Sequence, residues 1–200
     1  MKKVLTLLMA ISLLCSMPLL ADDLAEVKQI VSKSIDRVIE LVKDKDIDKE
    51  TRNQKIIDTV KPFFDFEFMA KICLGKKHWV EMSPKNREIY IDRFVERLQE
   101  SYLEKLDLYT DEEVVVEEAK RVKSRIYVIT HLLTKDDKME MIYKFRKTSK
   151  GWLVYDIEIL GVSIVQTYRT QFAGYLRDHS ADELLERLKS AGSFTVPDGQ

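Results

Sequence analysis

Residues Gly151 to Tyr175 read G-W-L-V-Y-D-I-E-I-L-G-V-S-I-V-Q-T-Y-R-T-Q-F-A-G-Y. A β-signal, a break and an α-signal follow one another without a linker. Trp152 to Leu160 carries Val, Ile, Tyr and Trp, the residues that favour strands. Gly161 interrupts the run. After it the apolar period changes from two to about 3.6, with Val165, Tyr168, Phe172 and Tyr175 at helical spacing. A strand that feeds through one glycine into an amphipathic helix lays that helix across the sheet. The space between them is the place for a core or for a ligand.

Working back from Gly151, Thr148 to Gly151 reads as a hairpin turn. Lys138 to Lys147 alternates, with Met139, Met141, Tyr143 and Phe145 against Glu140, Lys144 and Arg146, and Ile142 as the exception. Arg125 to Leu133 is apolar in both alternating sets, which predicts a strand covered on both faces. Glu112 to Lys120 holds the Val114 to Val116 run. Four consecutive strands with short turns predict a four-stranded antiparallel meander.

Helices are predicted on either side of it. Leu24 to Lys43 repeats Val27, Val31, Ile35 and Val38 on one face. Lys49 to Val60 is a second helix, closed by Pro62. Asp65 caps a short aromatic helix over 66–74 that Gly75 ends. Ser83 with Pro84 starts a long helix to about Leu108. A helix follows the Gly161 break over 162–178, and Ser180 caps a last one over 181–191. The class is α+β.

Residues 1–21 stand apart. Lys2 and Lys3 precede an apolar run from Val4 to Leu14, and Ala21 lies just before Asp22 and Asp23. This order predicts a secretory signal peptide cut near Ala21. The run is shorter than the ~20 residues of a membrane span. The remaining 22–192 is expected to form one domain, helical over 22–108, sheet over 110–160 and helical again over 162–191, with a flexible tail at 193–200. Removing Lys2 and Lys3 from 33 basic residues leaves 31 against 34 acidic ones. A mildly acidic chain argues against a nucleic-acid partner. Cys15 leaves with the leader, so Cys73 has no intramolecular disulfide partner and reads as a small buried hydrophobe.

No catalytic pattern is present in the sequence. His78, His131 and His179 are isolated, without metal-ligand spacing. Gly161-Val162-Ser163 lacks the glycine that closes a nucleophile elbow. The six glycines form no phosphate loop. Asp156 and Glu158 are acidic residues on a strand without an evident acid–base partner. No cofactor or metal is expected. What remains is apolar and aromatic, and it fits a filled core or a cavity equally; methionine in particular suits a pocket of variable shape.

Y-D-I-E-I-L-G-V-S-I-V-Q-T-Y-R-T-Q-F resembles the signature of the Mla phospholipid-shuttle family, the periplasmic MlaC or toluene-tolerance proteins. The resemblance extends to the phenylalanine-rich segment ending in Leu74-Gly75, to Trp79, to Ser83-Pro84 and to Tyr102. It implies a curved sheet packed on helices, an NTF2-like cone with a helical extension, enclosing an apolar cavity. It also implies a monomeric periplasmic carrier, not an enzyme. The carrier would hold the acyl chains of a phospholipid with the head group exposed. It would pass lipid between an outer-membrane lipoprotein complex and an inner-membrane ABC transporter, maintaining outer-membrane asymmetry. Two other readings fit the α+β pattern: a small-molecule isomerase or dehydratase on a cone-shaped fold, and a non-transporting envelope chaperone.

In the carrier reading the cavity lining is expected from Phe68, Met69, Ile72, Tyr102, Val128, Met141, Tyr143, Val154, Tyr168 and Phe172. Docking to partners at the mouth is expected from the basic residues Arg146, Lys147 and Arg169.

Overall fold

Side-chain caps set the helix starts in the N-terminal half. The structure, a computed structural model, describes residues 18–107, 112–134, 137–190 and 194, with side chains from residue 22 onward. Helix α1 spans Pro18–Lys43. Asp48 accepts from the Thr51 amide at 2.9 Å and starts α2, Lys49–Val60. After a 3-10 turn at Lys61–Phe63, Asp65 accepts from the Phe68 amide and starts α3, Phe66–Leu74. Gly75, at φ 82, ends α3 and opens α4, Lys76–Glu81. The sequence reading did not foresee α4. It buries Trp79, whose ring lies under Arg87 at 5.3 Å. Ser83 caps α5, Pro84–Leu106, with proline in its first turn as predicted.

Among the described residues the sheet is antiparallel with six strands: β1 (Glu113–Val116), β2 (Lys120–Val122), β3 (Arg125–Leu133), β4 (Lys138–Thr148), β5 (Gly151–Ile159) and β6 (Val162–Ser163). Its order is β1-β3-β4-β5-β6, with β2 also on β3. The first expected strand is therefore two strands. The chain leaves the ladder between them, although Glu117 still donates to the Ile129 carbonyl at 2.9 Å. The Gly161 break is also different from the expected direct passage into a helix. Leu160 and Gly161 form a two-residue hairpin turn, with φ 48 and 79, and β6 pairs back on β5 before the helix begins. Positive φ at both central residues is the pattern of a type I′ turn, whose twist matches the strands. Helix α6, Ile164–Tyr175, follows at once, and α7, Ala181–Arg187, closes with a capping box on Ser180.

A bulge bends the sheet. Lys144 pairs with Asp156 and Phe145 with Val154, so Tyr155 is left over on β5. At this point the helical half is fastened to the sheet: the Asp65 amide donates to the Val154 carbonyl at 2.8 Å.

Two apolar cores result. One joins α3, α5, α6 and α7 through Met69, Tyr90, Phe94, Tyr168, Phe172 and Leu184. Its rings meet edge to face, Phe94 against Tyr168 at 5.5 Å. The other lies between α1 and one face of the sheet, with Val27 and Val31 on Ile126, Val128, Phe145, Trp152 and Val154. Each fully buried side chain of this size contributes ~1.5–3 kcal/mol. α1 is also tied down by charge. Asp23 accepts from Lys147 Nζ and Trp152 Nε1, both at 2.8 Å, and from Arg121 at 3.0 Å.

Candidate functional site

The sheet face under α1 is divided along its length. At the hairpin end its residues are sealed: Ile126, Phe145, Trp152 and Val154 are buried beneath Val27 and Val31. Toward the other end the cross-strand rows run Val128–Tyr143–Ile157, Thr130–Met141–Ile159 and Leu132–Met139. Here Leu132, Met139, Met141, Tyr143, Ile157 and Ile159 all keep accessible surface. Ile35, on the same stripe of α1, is half-buried against this side as well. Burial pushes the Tyr143 phenol up to about 12, and the residue keeps some accessible surface. Ile157 packs against both cores, so this accessible stretch lies where they meet. A shallow depression bordered by Tyr175, Asp182, Glu183, Glu186 and Arg187 is a different feature, open and on the outside of the helical half.

The ten residues expected to form one lining are separated by the fold. Met141 and Tyr143 lie on the partly accessible stretch of the sheet face. Met69, Tyr168 and Phe172 are 1, 0 and 0% exposed and fill the helical core instead. Val128 and Val154 are sealed in the core under α1. Ile72 and Tyr102 are partly buried at the edge of the helical core. Phe68 lies apart from both cores, packed edge-on to Tyr155 at 6.1 Å and covered by the Arg146 guanidinium at 4.0 Å. Its neighbour Met69 takes the inward position on α3, and one residue along a helix turns the side chain by about 100°. Met139 was visible in the alternation of β4. Ile157 and Ile159 were not, because the Tyr155 bulge reverses the alternation of β5.

The basic residues expected at a docking surface are also redistributed. Arg146 forms an ion pair with Asp65, the cap of α3. Lys147 pairs with Asp23 and sits 5.1 Å from the centre of the Trp152 ring. Both hold helices to the sheet, because the end of β4 adjoins the starts of α3 and α1. Arg169 is exposed on α6.

The Tyr-Asp and Gly-Val-Ser motifs form a structural knot. Asp156 is buried and accepts from Ser163 Oγ at 2.8 Å, the Val165 amide at 3.2 Å and Lys144 Nζ at 3.2 Å. Ser163 in turn accepts from the Gln166 amide and caps α6. Lys144 also donates to Glu158 at 2.6 Å. Burial opposes the Lys144 charge, but Glu158 and Asp156 outweigh it and raise its pKa. Asp156 thereby ties the start of α6 and Lys144 of β4 to β5.

The histidines are dispersed: His131 contacts Glu117 at 2.6 Å, and His179 contacts the Tyr175 carbonyl. Among the described residues no group of three or more His, Cys, Asp or Glu is placed to hold a metal ion. Cys73 is buried with Sγ 3.4 Å from the Val165 carbonyl, and burial raises its thiol pKa. Among the described residues no helix is long and apolar enough to cross a membrane.

Fold and site together define an α+β domain whose sheet carries a partly accessible apolar stretch on one face. A family model described as MlaC protein matches residues 32–190, and the chain belongs to the MlaC family. It is 22% identical over 141 residues to the intermembrane phospholipid transport system binding protein MlaC of Haemophilus influenzae. That match covers 68% of this chain and spans 65% of the relative's own length. Among solved structures it is similar to a phospholipid-binding protein from Ralstonia solanacearum in complex with a phospholipid. The TM-score is 0.73 at 22% identity, covering 81% of this chain and 94% of that one.

Proposed function

We propose that this protein is a phospholipid carrier of the cell envelope. In this reading residues 1–21 direct export and are removed, and the mature chain works in the periplasm. It takes lipid from one membrane complex and delivers it to another, between an outer-membrane lipoprotein complex and an inner-membrane ABC transporter, and so maintains outer-membrane lipid asymmetry. The observation that carries the reading is the accessible apolar surface of Met141, Tyr143, Ile157 and Ile159 inside a fold shared with a phospholipid complex.

Magnitude sets the mode of transfer. A buried methylene is worth ~0.8 kcal/mol, so two acyl chains with roughly 25 methylenes give about 20 kcal/mol before opposing terms. That approaches the ceiling for non-covalent complexes, and release into water would be too slow for a shuttle. The chains pass instead from the carrier straight into another apolar environment.

Native mass spectrometry of the exported protein, followed by lipid extraction, tests the reading. A phospholipid that co-purifies in stoichiometric amount is the expected result. A chain that remains lipid-free after purification from envelope and after incubation with phospholipid vesicles would overturn it.

A further inference from the structure

One row of the sheet leads from its partly accessible apolar stretch to the surface. Thr130 pairs with Met141, Met141 with Ile159 and Ile159 with Val162. Cross-strand partners project to the same face. The row therefore passes from buried Thr130 through half-buried Met141 and Ile159 to Val162, which is 39% exposed. Beside Val162 stands Leu160, 42% exposed, in the hairpin turn between β5 and β6. Its amide donates to the Glu140 carbonyl at 3.0 Å, which ties the turn to β4.

Leu160 is an unusual residue for such a place. Its φ of 48 is left-handed, and turns of this kind favour Asn, Asp or Gly there. Leucine is strained in that conformation. Packing accounts for it only in part, since 42% of its surface stays exposed. A strained apolar residue left this exposed points to a contact made outside the free chain.

We propose that Leu160 and Val162 form a tip that enters the apolar layer of a lipid surface as cargo leaves the carrier. The proposal rests on the carrier reading above. Two side chains on a turn are far below the ~800 Å² that each partner gives to a stable protein interface. A lipid surface, by contrast, accepts a single apolar tip. Glu158, beside the tip in the ladder, is paired with Lys144, and Glu140, whose carbonyl holds the turn, is acidic, so neither neighbour supplies a charge that would draw the tip to anionic head groups. The contact is apolar and tolerant of salt.

Leu160→Asn separates the roles, because Asn relaxes the turn while removing the apolar tip. The expected result is an equal or higher melting temperature and unchanged bound lipid. Transfer of labelled phospholipid to acceptor vesicles of phosphatidylethanolamine and phosphatidylglycerol should fall by about tenfold, the factor that ~1.4 kcal/mol represents. Val162→Thr, which keeps a β-branched strand residue, should slow transfer in the same direction. As a direct reading, Leu160→Trp should be quenched by brominated acyl chains in those vesicles, beyond the background of Trp79 and Trp152 in the wild type. Unchanged vesicle transfer in Leu160→Asn, or no added quenching in Leu160→Trp, overturns the proposal. So does a defect seen only when partner complexes are present, which would make the tip a protein contact. If the wild type holds no lipid, the carrier reading fails by itself, and the quenching experiment still decides whether the tip enters a bilayer.

Discussion

The hydroxyl of Ser163 donates to the carboxylate of Asp156 at 2.8 Å, joining the start of helix α6 to strand β5 across the Leu160-Gly161 turn. The same carboxylate takes the Val165 amide and the Lys144 ammonium. Asp156→Ala leaves Lys144 with one carboxylate in a largely buried site and should lower unfolding free energy by ~3 kcal/mol. Ser163→Ala removes the cap of α6 and should cost ~1 kcal/mol. Because they share one network, the double variant should lose measurably less than the sum. Urea denaturation of the four proteins checks this, and strict additivity would show that the two act separately.

Gly161 has φ 79, and a Cβ built there meets nothing within 4 Å. The cost of a side chain is therefore a backbone cost alone. Gly161→Val should destabilise by more than ~1 kcal/mol. Gly174, inside α6, is the contrast: a Cβ meets only Arg177 NH2, at 3.8 Å. Gly174→Ala should stabilise by ~0.5–1 kcal/mol. Thermal melts of the two variants should move in opposite directions.

Asp23 binds Lys147, Trp152 and Arg121, which hold its pKa down from 3.8 to about 2. A depressed carboxylate stabilises the folded state above its unfolded pKa and loses that contribution as pH falls through the folded pKa. The window is thus from about pH 4 down to about pH 2, and the size is ~2 kcal/mol for a shift of this order. Asp23→Asn should flatten this part of the stability curve and lower the plateau above it. Denaturation of the mature chain across that range measures both, and parallel curves for variant and wild type would dismiss the latch.

Local signals carried much of the fold. Asp48, Asp65, Ser83 and Ser180 each cap the helix that follows, because a capping side chain acts on amides only two or three residues away. The alternation of β4 named one face of the sheet correctly. The reading failed where a feature depends on a partner strand. The Tyr155 bulge exists only in the pairing of β4 with β5, and it hid Ile157 and Ile159. Arg146 looked like a free charge because its partner, Asp65, is 81 residues away. Tyr168 and Phe172 were correctly placed on the inward side of α6, but which wall that side faces is a matter of tertiary packing. Arg146→Glu would set a carboxylate against the cap of α3, so it tests stability rather than docking. Arg169→Glu, on the exposed side of α6, is the cleaner probe of a docking charge.

The proposed division between lipid space and core can be tested with one change of bulk on each side. Met141 keeps accessible surface on the row between Thr130 and Ile159, whereas Phe172 is fully buried among Tyr90, Phe94 and Tyr168. In the carrier reading a larger side chain at Met141 enters the space that the acyl chains are proposed to occupy. Met141→Trp should therefore reduce bound phospholipid strongly while the melting temperature of the lipid-free protein changes little. Phe172→Trp has no space to enter and should cost ~1–3 kcal/mol as core overpacking does. The fraction that stays folded should retain its lipid. Native mass spectrometry for lipid per chain, together with melts of delipidated protein, gives both readings for each variant. If Met141→Trp destabilises as Phe172→Trp does and keeps its lipid, the Met141 row is core and the lipid space lies elsewhere. If Phe172→Trp empties the protein without loss of stability, the helical core itself borders the lipid and the sequence-based lining was right to include it.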